Sequence, residues 1–237
     1  MKLKIKKEKL PGKVVFFITR GAIILLLAVS IASFFIDKGD ADISRNIFVI
    51  TQTSILLLLT FTPTFIEKVF KVEIPDFIET LFLFFIVSAL LLGEVANFFI
   101  TIWWWDVMLH IFSGLLVAIV GFSIYVGSIK ERKSKKTNHP FFVALFVFCF
   151  TVTVEISWEL IEYLFDLTVA NSNMLRTVDS VTLVPFSGIE AVKDTINDIL
   201  LNMASAFVIA VLGFFDFKYS WNLFSKWMIN PKPTDDK

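Results

Sequence analysis

Six apolar runs separated by short polar stretches make up most of the chain, at residues 14–36, 47–66, 78–102, 106–126, 140–165 and 194–215. At about 1.5 Å of rise per helical residue, each approaches or exceeds the length needed to cross a hydrocarbon layer of about 30 Å. The pattern predicts an all-α polytopic membrane protein, with residues 1–237 forming a single transmembrane domain. Arg20 lies near the basic end of the first run, where its side chain can snorkel to the headgroups. The third run is interrupted by Gly93, Glu94 and Asn97. It reads as a tilted helix or as a shorter one with a re-entrant end over 93–105. Trp103, Trp104 and Trp105 then read as an interfacial aromatic belt.

Composition supports this pattern. The chain has 237 residues, is 56% hydrophobic and has a mean hydropathy of +0.76, which excludes an ordinary soluble domain. With 28 Phe but only 9 Gly and 7 Pro, it suits packed helices better than a barrel. The single cysteine, Cys149, excludes an intramolecular disulfide framework and a cysteine-rich metal site.

A net charge of zero hides a strong asymmetry. Lysines 2, 4, 6, 7, 9 and 13 precede the first run; Lys130, Arg132, Lys133, Lys135 and Lys136 follow the fourth; Lys218, Lys226 and Lys232 follow the sixth. The positive-inside rule makes these segments cytoplasmic, so both termini face the cytoplasm of a multi-pass protein of the cell membrane, a bacterial cytoplasmic membrane. A signal peptide cleaved near Ser30-Ile31-Ala32 is the competing reading of the start, but the run is too long and Arg20 lies within it. On this topology Lys38, Arg45, Arg176 and Lys193 are the only basic residues of the outward half, which is net negative. The bilayer is the expected partner; no nucleic acid is expected, and protein partners are unspecified.

The candidate chemistry lies in the last three runs. Glu155, Glu159 and Glu162 are spaced by four and three, which places them on one helix face. Asp106 and His110 are one turn apart at the start of the fourth helix; Asp194, Asp198 and Asn202 are spaced by fours at the start of the sixth. Helical rise puts His110, Asp198 and Glu162 each about 6 Å below the membrane edge and Glu159 about 10 Å below it. Asp106 and Asp194 taken singly read as helix caps, and His110 alone as an interhelical hydrogen-bonding residue. Together, so many carboxylates at one depth require a cation, shared protons, water or a basic partner.

One imidazole with several carboxylates suits a divalent cation, Zn²⁺, Mn²⁺ or Mg²⁺. The candidate ligands are His110, Glu159, Glu162, Asp198, Asp106 and Asp194, and the candidate catalytic groups are Glu159, Glu162, His110 and Asp198. Arg176 and Asn202 are candidates to contact a substrate, and Glu94 and Asn97 can join the site. Glu155, nearer the middle of the bilayer, reads as protonated support, and His139 as an exposed loop residue.

At these residues the chain resembles the VanZ-like membrane proteins and, more closely, the YjdF-like group of bacterial integral membrane proteins. The resemblance covers residues 106–215: the Asp-x-x-x-His helix start, Trp158-Glu159-Leu160-Ile161-Glu162, and Asp194-Thr195-Ile196-Asn197-Asp198 running into Asn202. VanZ-like proteins carry Glu-x-x-Gln on the middle helix and Asp-x-x-x-Asn-x-x-Gly on the last. Here Glu162 stands in place of Gln and Ser205 in place of Gly. The Glu fits the YjdF-like pattern and speaks against transferring glycopeptide resistance. The resemblance implies membership of a membrane family and no particular reaction.

Three functions compete. The leading one is a metal-assisted enzyme or binding protein for a lipid or lipid-linked envelope component at the outer leaflet, and the second a cation or proton-coupled transporter. The third, a structural or regulatory membrane protein, leaves the acids without a reason.

Overall fold

A computed structural model describes residues 11–36, 39–128, 139–168, 173–179 and 182–231. The basic segments at 2–9 and 130–136, and Lys232, lie outside the described residues. Among the described residues six helical spans are long and apolar enough to cross a membrane: Val14–Ile36, Asp42–Val69, Asp76–Val95, Trp105–Val126, Pro140–Thr168 and Gly188–Tyr219. The protein is an all-α polytopic membrane protein. Its contacts group it into two compact units, one within Met1–Asn97 and the other Phe98–Asn230.

In the first unit, α1 (Pro11–Ile36) packs on α2 (Asp40–Leu59) and on α4 (Asp76–Ile86) around buried Phe16, Ile23, Leu56, Leu83 and Ile86. Arg20 turns to protein. Its Nε donates to Thr60 Oγ1 at 3.0 Å and its Nη2 to the Thr60 carbonyl at 2.6 Å, with the guanidinium 4.2 Å from the Phe61 ring centre. It thereby serves an orphan carbonyl just past the end of α2, where a cation also meets the negative end of the helix dipole. Pro63 in the first turn of α3 (Thr62–Val69) restarts the helix without loss of a hydrogen bond.

The interrupted third run has a specific form. α4 passes into a π-helical segment, Val87–Val95, that closes with Ala96 N–H donating to the Leu91 carbonyl at 2.9 Å. Asn97 follows with φ +59°, a left-handed conformation that Asn tolerates and that ends the helix. Beyond it come a single turn, α5 (Phe98–Thr101), and then α6 (Trp105–Ser128). Trp103 and Trp104 are exposed as belt residues should be, but Trp105 is buried and edge-on to Phe98 with ring centres 4.9 Å apart.

The second unit is a three-helix bundle of α6, α7 (Pro140–Thr168) and α8 (Lys193–Tyr219), with α7 antiparallel to the other two. One end of the bundle is apolar. Ala118, Phe122, Val143, Val147 and Ile209 form a buried cluster completed by Phe224 and Met228, with the Phe122 and Phe224 rings stacked 5.5 Å apart. The chain beyond α8 is tied back by Asp216 Oδ1, which accepts from Leu223 N–H at 2.6 Å, and by Ser123 Oγ, which accepts from Ile229 N–H at 3.0 Å.

Lipid is as apolar as a leucine core, so helices in a membrane associate through close packing and small residues. Gly213 faces the Phe122 ring so closely that a Cβ would lie 2.6 Å from both Cε atoms. Gly114 meets α8 in the same way, its missing Cβ falling on Ser205 Oγ and 3.0 Å from the Asn202 carbonyl. Gly21, by contrast, has nothing within 4 Å of the place a Cβ would take. Thermal unfolding in detergent is expected to show Gly213→Ala destabilised by about 1–3 kcal/mol, the usual cost of overpacking, with Gly21→Ala close to unchanged.

Candidate functional site

The other end of the three-helix bundle is polar, and its side chains fall in layers set by helical spacing. The first layer holds Asp106 of α6 and Asp194 of α8, the second His110 and Asp198 with Glu159 of α7, and the third Ser113, Asn202 and Glu155. Below these, Thr151 and Ser205 are buried and mark the change to the apolar cluster. Close contact at Gly114 lets Asn202 on α8 reach across to α7.

His110 is the centre. Its Nδ1 is 2.6 Å from Glu155 Oε1. An ionised carboxylate only accepts, so the Nδ1 proton points at Glu155 and Nε2 is left to face the other side. There Asp106 Oδ1 and Asp198 Oδ1 each lie 3.7 Å away. Glu155 is itself held: Asn202 Nδ2 donates to its second oxygen at 2.8 Å and is 3.3 Å from Ser113 Oγ, whose hydroxyl donates to the His110 carbonyl at 2.9 Å. The ring is therefore oriented from one side by a closed set of hydrogen bonds linking all three helices.

Two groups of potential ligand atoms share this histidine, Asp106–His110–Asp198 and His110–Glu155–Glu159, the atoms of each lying within 4.8 Å of one another. Glu155, Glu159 and Asp198 are 4%, 6% and 5% exposed and His110 is 9% exposed. Neither carboxylate oxygen of Glu159 meets strict hydrogen-bond geometry with a partner among the described residues, Thr195 adding only a weak donor interaction, and the Asn202 side-chain oxygen has no partner among them. An ionised carboxylate buried without partners is strongly unfavourable, so the group is stabilised by protonation, by water or by a cation.

Arg176 reaches the first layer from the segment between α7 and α8. Its Nη1 contacts Asp106 Oδ2 and lies 3.5 Å from Asp194 Oδ1, and its guanidinium is 4.9 Å from the Phe99 ring centre. Burial alone would lower its pKa, but the hydrogen bond and charge of Asp106, with Asp194 and Asp198, raise it, so the guanidinium stays protonated. Asp166, near the end of α7, fixes this segment by accepting from the Met174 and Leu175 N–H groups at 2.8 and 3.0 Å.

A family model described as a predicted membrane protein, DUF2238, matches residues 18–219. The chain belongs to this family. DUF2238 is the YjdF-like group, and the site residues all fall within the matched region. Comparison with curated proteins and comparison with solved structures each return no match.

In this DUF2238 protein the sequence candidates do not all occupy equal places. His110, Asp106 and Asp198 converge, Glu159 lies against His110, and Asp194 sits at the mouth with Arg176. Glu162 is half-buried and falls in neither ligand group. Asn202 is 1% exposed and holds Glu155. His139 is exposed, and Glu94 and Asn97 belong to the first unit. Ser113 and Phe99 emerge only from the structure. Ser113 had one faint signal, its place three residues after His110; Phe99 had none among 28 Phe.

The donor set fits a divalent cation with nitrogen and oxygen ligands. Tetrahedral ligands at about 2.1 Å from an ion are about 3.4 Å apart, only a few tenths closer than the 3.7 Å separations at His110. A carboxylate on the other imidazole nitrogen, the role of Glu155 here, is the usual support of a metal-binding histidine. Asn202→Leu removes the donor to Glu155 Oε2 and is expected to cost about 1–3 kcal/mol in thermal unfolding. Glu162→Gln, at a half-buried position outside both ligand groups, is expected to change stability by no more than about 0.5 kcal/mol.

Proposed function

We propose that this DUF2238 protein is a divalent-cation-dependent enzyme or binding protein acting on a lipid or lipid-linked envelope component at the outer leaflet. The observation that carries the reading is Glu159, buried with neither oxygen in a hydrogen bond of strict geometry beside the convergence of His110, Asp106 and Asp198. His110 Nε2, Asp106 and Asp198 are the ligands of this reading, with Glu159 as the base that takes a proton from a bound water or hydroxyl, or as a further ligand. A cation held there would supply Lewis-acid polarisation of a bound oxygen. The chain's own groups do the rest: Glu155 and Asn202 orient the imidazole, Asp194 and Arg176 line the approach, and Glu162 stands at the rim. Zn²⁺, Mn²⁺ and Mg²⁺ all suit the donors.

The same reading places both termini in the cytoplasm of a bacterium, on the charge asymmetry of the sequence. It includes a kinship with VanZ-like proteins through Asp106-x-x-x-His110 and Asp198-x-x-x-Asn202, without glycopeptide resistance. An enzyme or binding role is favoured over transport by the other end of the bundle. There, among the described residues, Ala118, Phe122 and Val147, each 0% exposed, stand between the polar layers of the site and buried Ser123 and Asp216.

Protein purified in detergent is expected to hold about one divalent cation per chain by elemental analysis. Asp198→Asn should lose it, and Glu155→Gln should weaken affinity about 10–100-fold, as for other outer-shell partners of metal ligands. Protein with no stoichiometric cation whose Glu159→Ala variant retains full biological activity would contradict the reading. So would cation flux in proteoliposomes that disappears in Glu159→Gln, which would favour the transporter.

A further inference from the structure

Beside the first polar layer lies a cavity of about 410 Å³ that shares Arg176 and Asp194 with the site. One part of its wall is apolar, from Phe99, Val178 and Phe186, and another is charged, with Arg176 and Lys193 set among Asp179, Glu190 and Asp194. Such a lining suits a molecule with a charged head and a greasy attachment.

The state of Arg176 narrows the class. Both of its carboxylate contacts are made by the same nitrogen, Nη1, and neither Nε nor Nη2 donates a hydrogen bond among the described residues. The Nε–Nη2 edge is the one that meets two oxygens of a phosphate or carboxylate in parallel. Phe99 lies 4.9 Å from the guanidinium carbon and braces it. The Arg176 backbone, at φ +49°, is held in a left-handed conformation unusual for a residue with a side chain. Around it the turn is closed by Asn173, which donates to the Val178 carbonyl at 2.8 Å and accepts from its N–H at 3.0 Å. Left-handed backbone at a non-glycine residue, fixed on both sides, is the kind of local cost found where a side chain must be aimed.

The cavity's acids are mostly engaged. Asp179 accepts from the Thr182 N–H and hydroxyl at 2.6 and 2.8 Å, Glu190 pairs with Lys193 at 3.1 Å, and Asp194 pairs with Arg176. A cation on Asp106 and Asp198 would withdraw one of the two carboxylates that hold Arg176 and leave the arginine in need of another anion.

We propose that this cavity is the headgroup subsite of the protein, that its ligand is a phosphate-bearing group, and that Arg176 is the residue that recognises it. This deepens the function proposed above and rests on it for the role of the cation. A phosphate seated on the Nε–Nη2 edge lies next to the first polar layer, with its ester substituent along Phe99, Val178 and Phe186. Arg176 is a specificity-determining residue in this scheme, and Lys193, more than half exposed at the start of α8, contributes long-range charge.

The test uses the full chain in detergent with Mn²⁺ supplied, and measures binding of dihexanoyl phosphatidic acid, dihexanoyl phosphatidylcholine and inorganic phosphate by calorimetry. Phosphatidic acid is expected to bind at least tenfold more tightly than phosphatidylcholine. Arg176→Gln should weaken that binding at least tenfold, Arg176→Lys should restore part of it, and Lys193→Gln, on an exposed side chain, should weaken it about threefold. Binding of phosphatidic acid above inorganic phosphate assigns the phosphate to a lipid, and equal binding assigns it to a soluble phosphate ester; either supports the subsite. Phosphate binding that is unchanged in both Arg176→Gln and Lys193→Gln, or no preference for phosphatidic acid over phosphatidylcholine, overturns it. Cation content of the wild-type preparation is measured alongside, so a missing cation counts against the function proposed above while arginine-dependent phosphate binding is judged separately.

Discussion

The imidazole of His110, held by Glu155 on one nitrogen and facing Asp106 and Asp198 with the other, is the interaction on which the polar half of the three-helix bundle depends. Each contact comes from a different turn of a different helix, so the ring can be held only when α6, α7 and α8 are in register. The register is set elsewhere. Gly213 against Phe122 and Gly114 against Ser205 allow the helices to approach, and packing in the apolar half fixes their rotation. The apolar half thus makes the geometry, and the polar half uses it.

That division has an energetic consequence. A membrane interior penalises charge, yet this bundle gathers Asp106, Glu155, Glu159 and Asp198 around one histidine with one arginine at the mouth. Hydrogen bonds satisfy Glu155, and Arg176 satisfies Asp106. Glu159 is left over. A structural protein would gain stability by replacing such a group with an apolar side chain, which is why the leftover carboxylate is read as functional.

Much of this was legible in the chain. Apolar runs located the membrane helices, because lipid demands about 20 continuous apolar residues whatever the packing. Spacing by fours put His110 below Asp106 and Asp198 below Asp194 before any tertiary contact was known. What spacing could not supply was the rotation of α7 about its own axis. At about 100° per residue, Glu159 lies about 40° from Glu155 in one sense and Glu162 about 20° in the other, so all three share a face. Facing alone does not separate them, and Glu162, nearest the end of α7, is only half-buried where Glu155 and Glu159 are buried. Arg176 and Phe99 were legible as residues but not as neighbours, since their meeting depends on an irregular segment whose course no periodicity records. Gly93 and Asn97 marked a break in the third run, but the π-helical turn that resolves it is a matter of backbone hydrogen bonding.

The central claim is that His110 Nε2 faces a cation site completed by carboxylates. X-ray absorption at the zinc edge, on purified protein loaded with one equivalent of Zn²⁺, observes that claim directly. The account predicts a shell of nitrogen and oxygen at about 2.0–2.1 Å with the multiple-scattering signature of a single imidazole, lost in His110→Ala. A zinc environment without an imidazole contribution, or one that His110→Ala leaves unchanged, would contradict it.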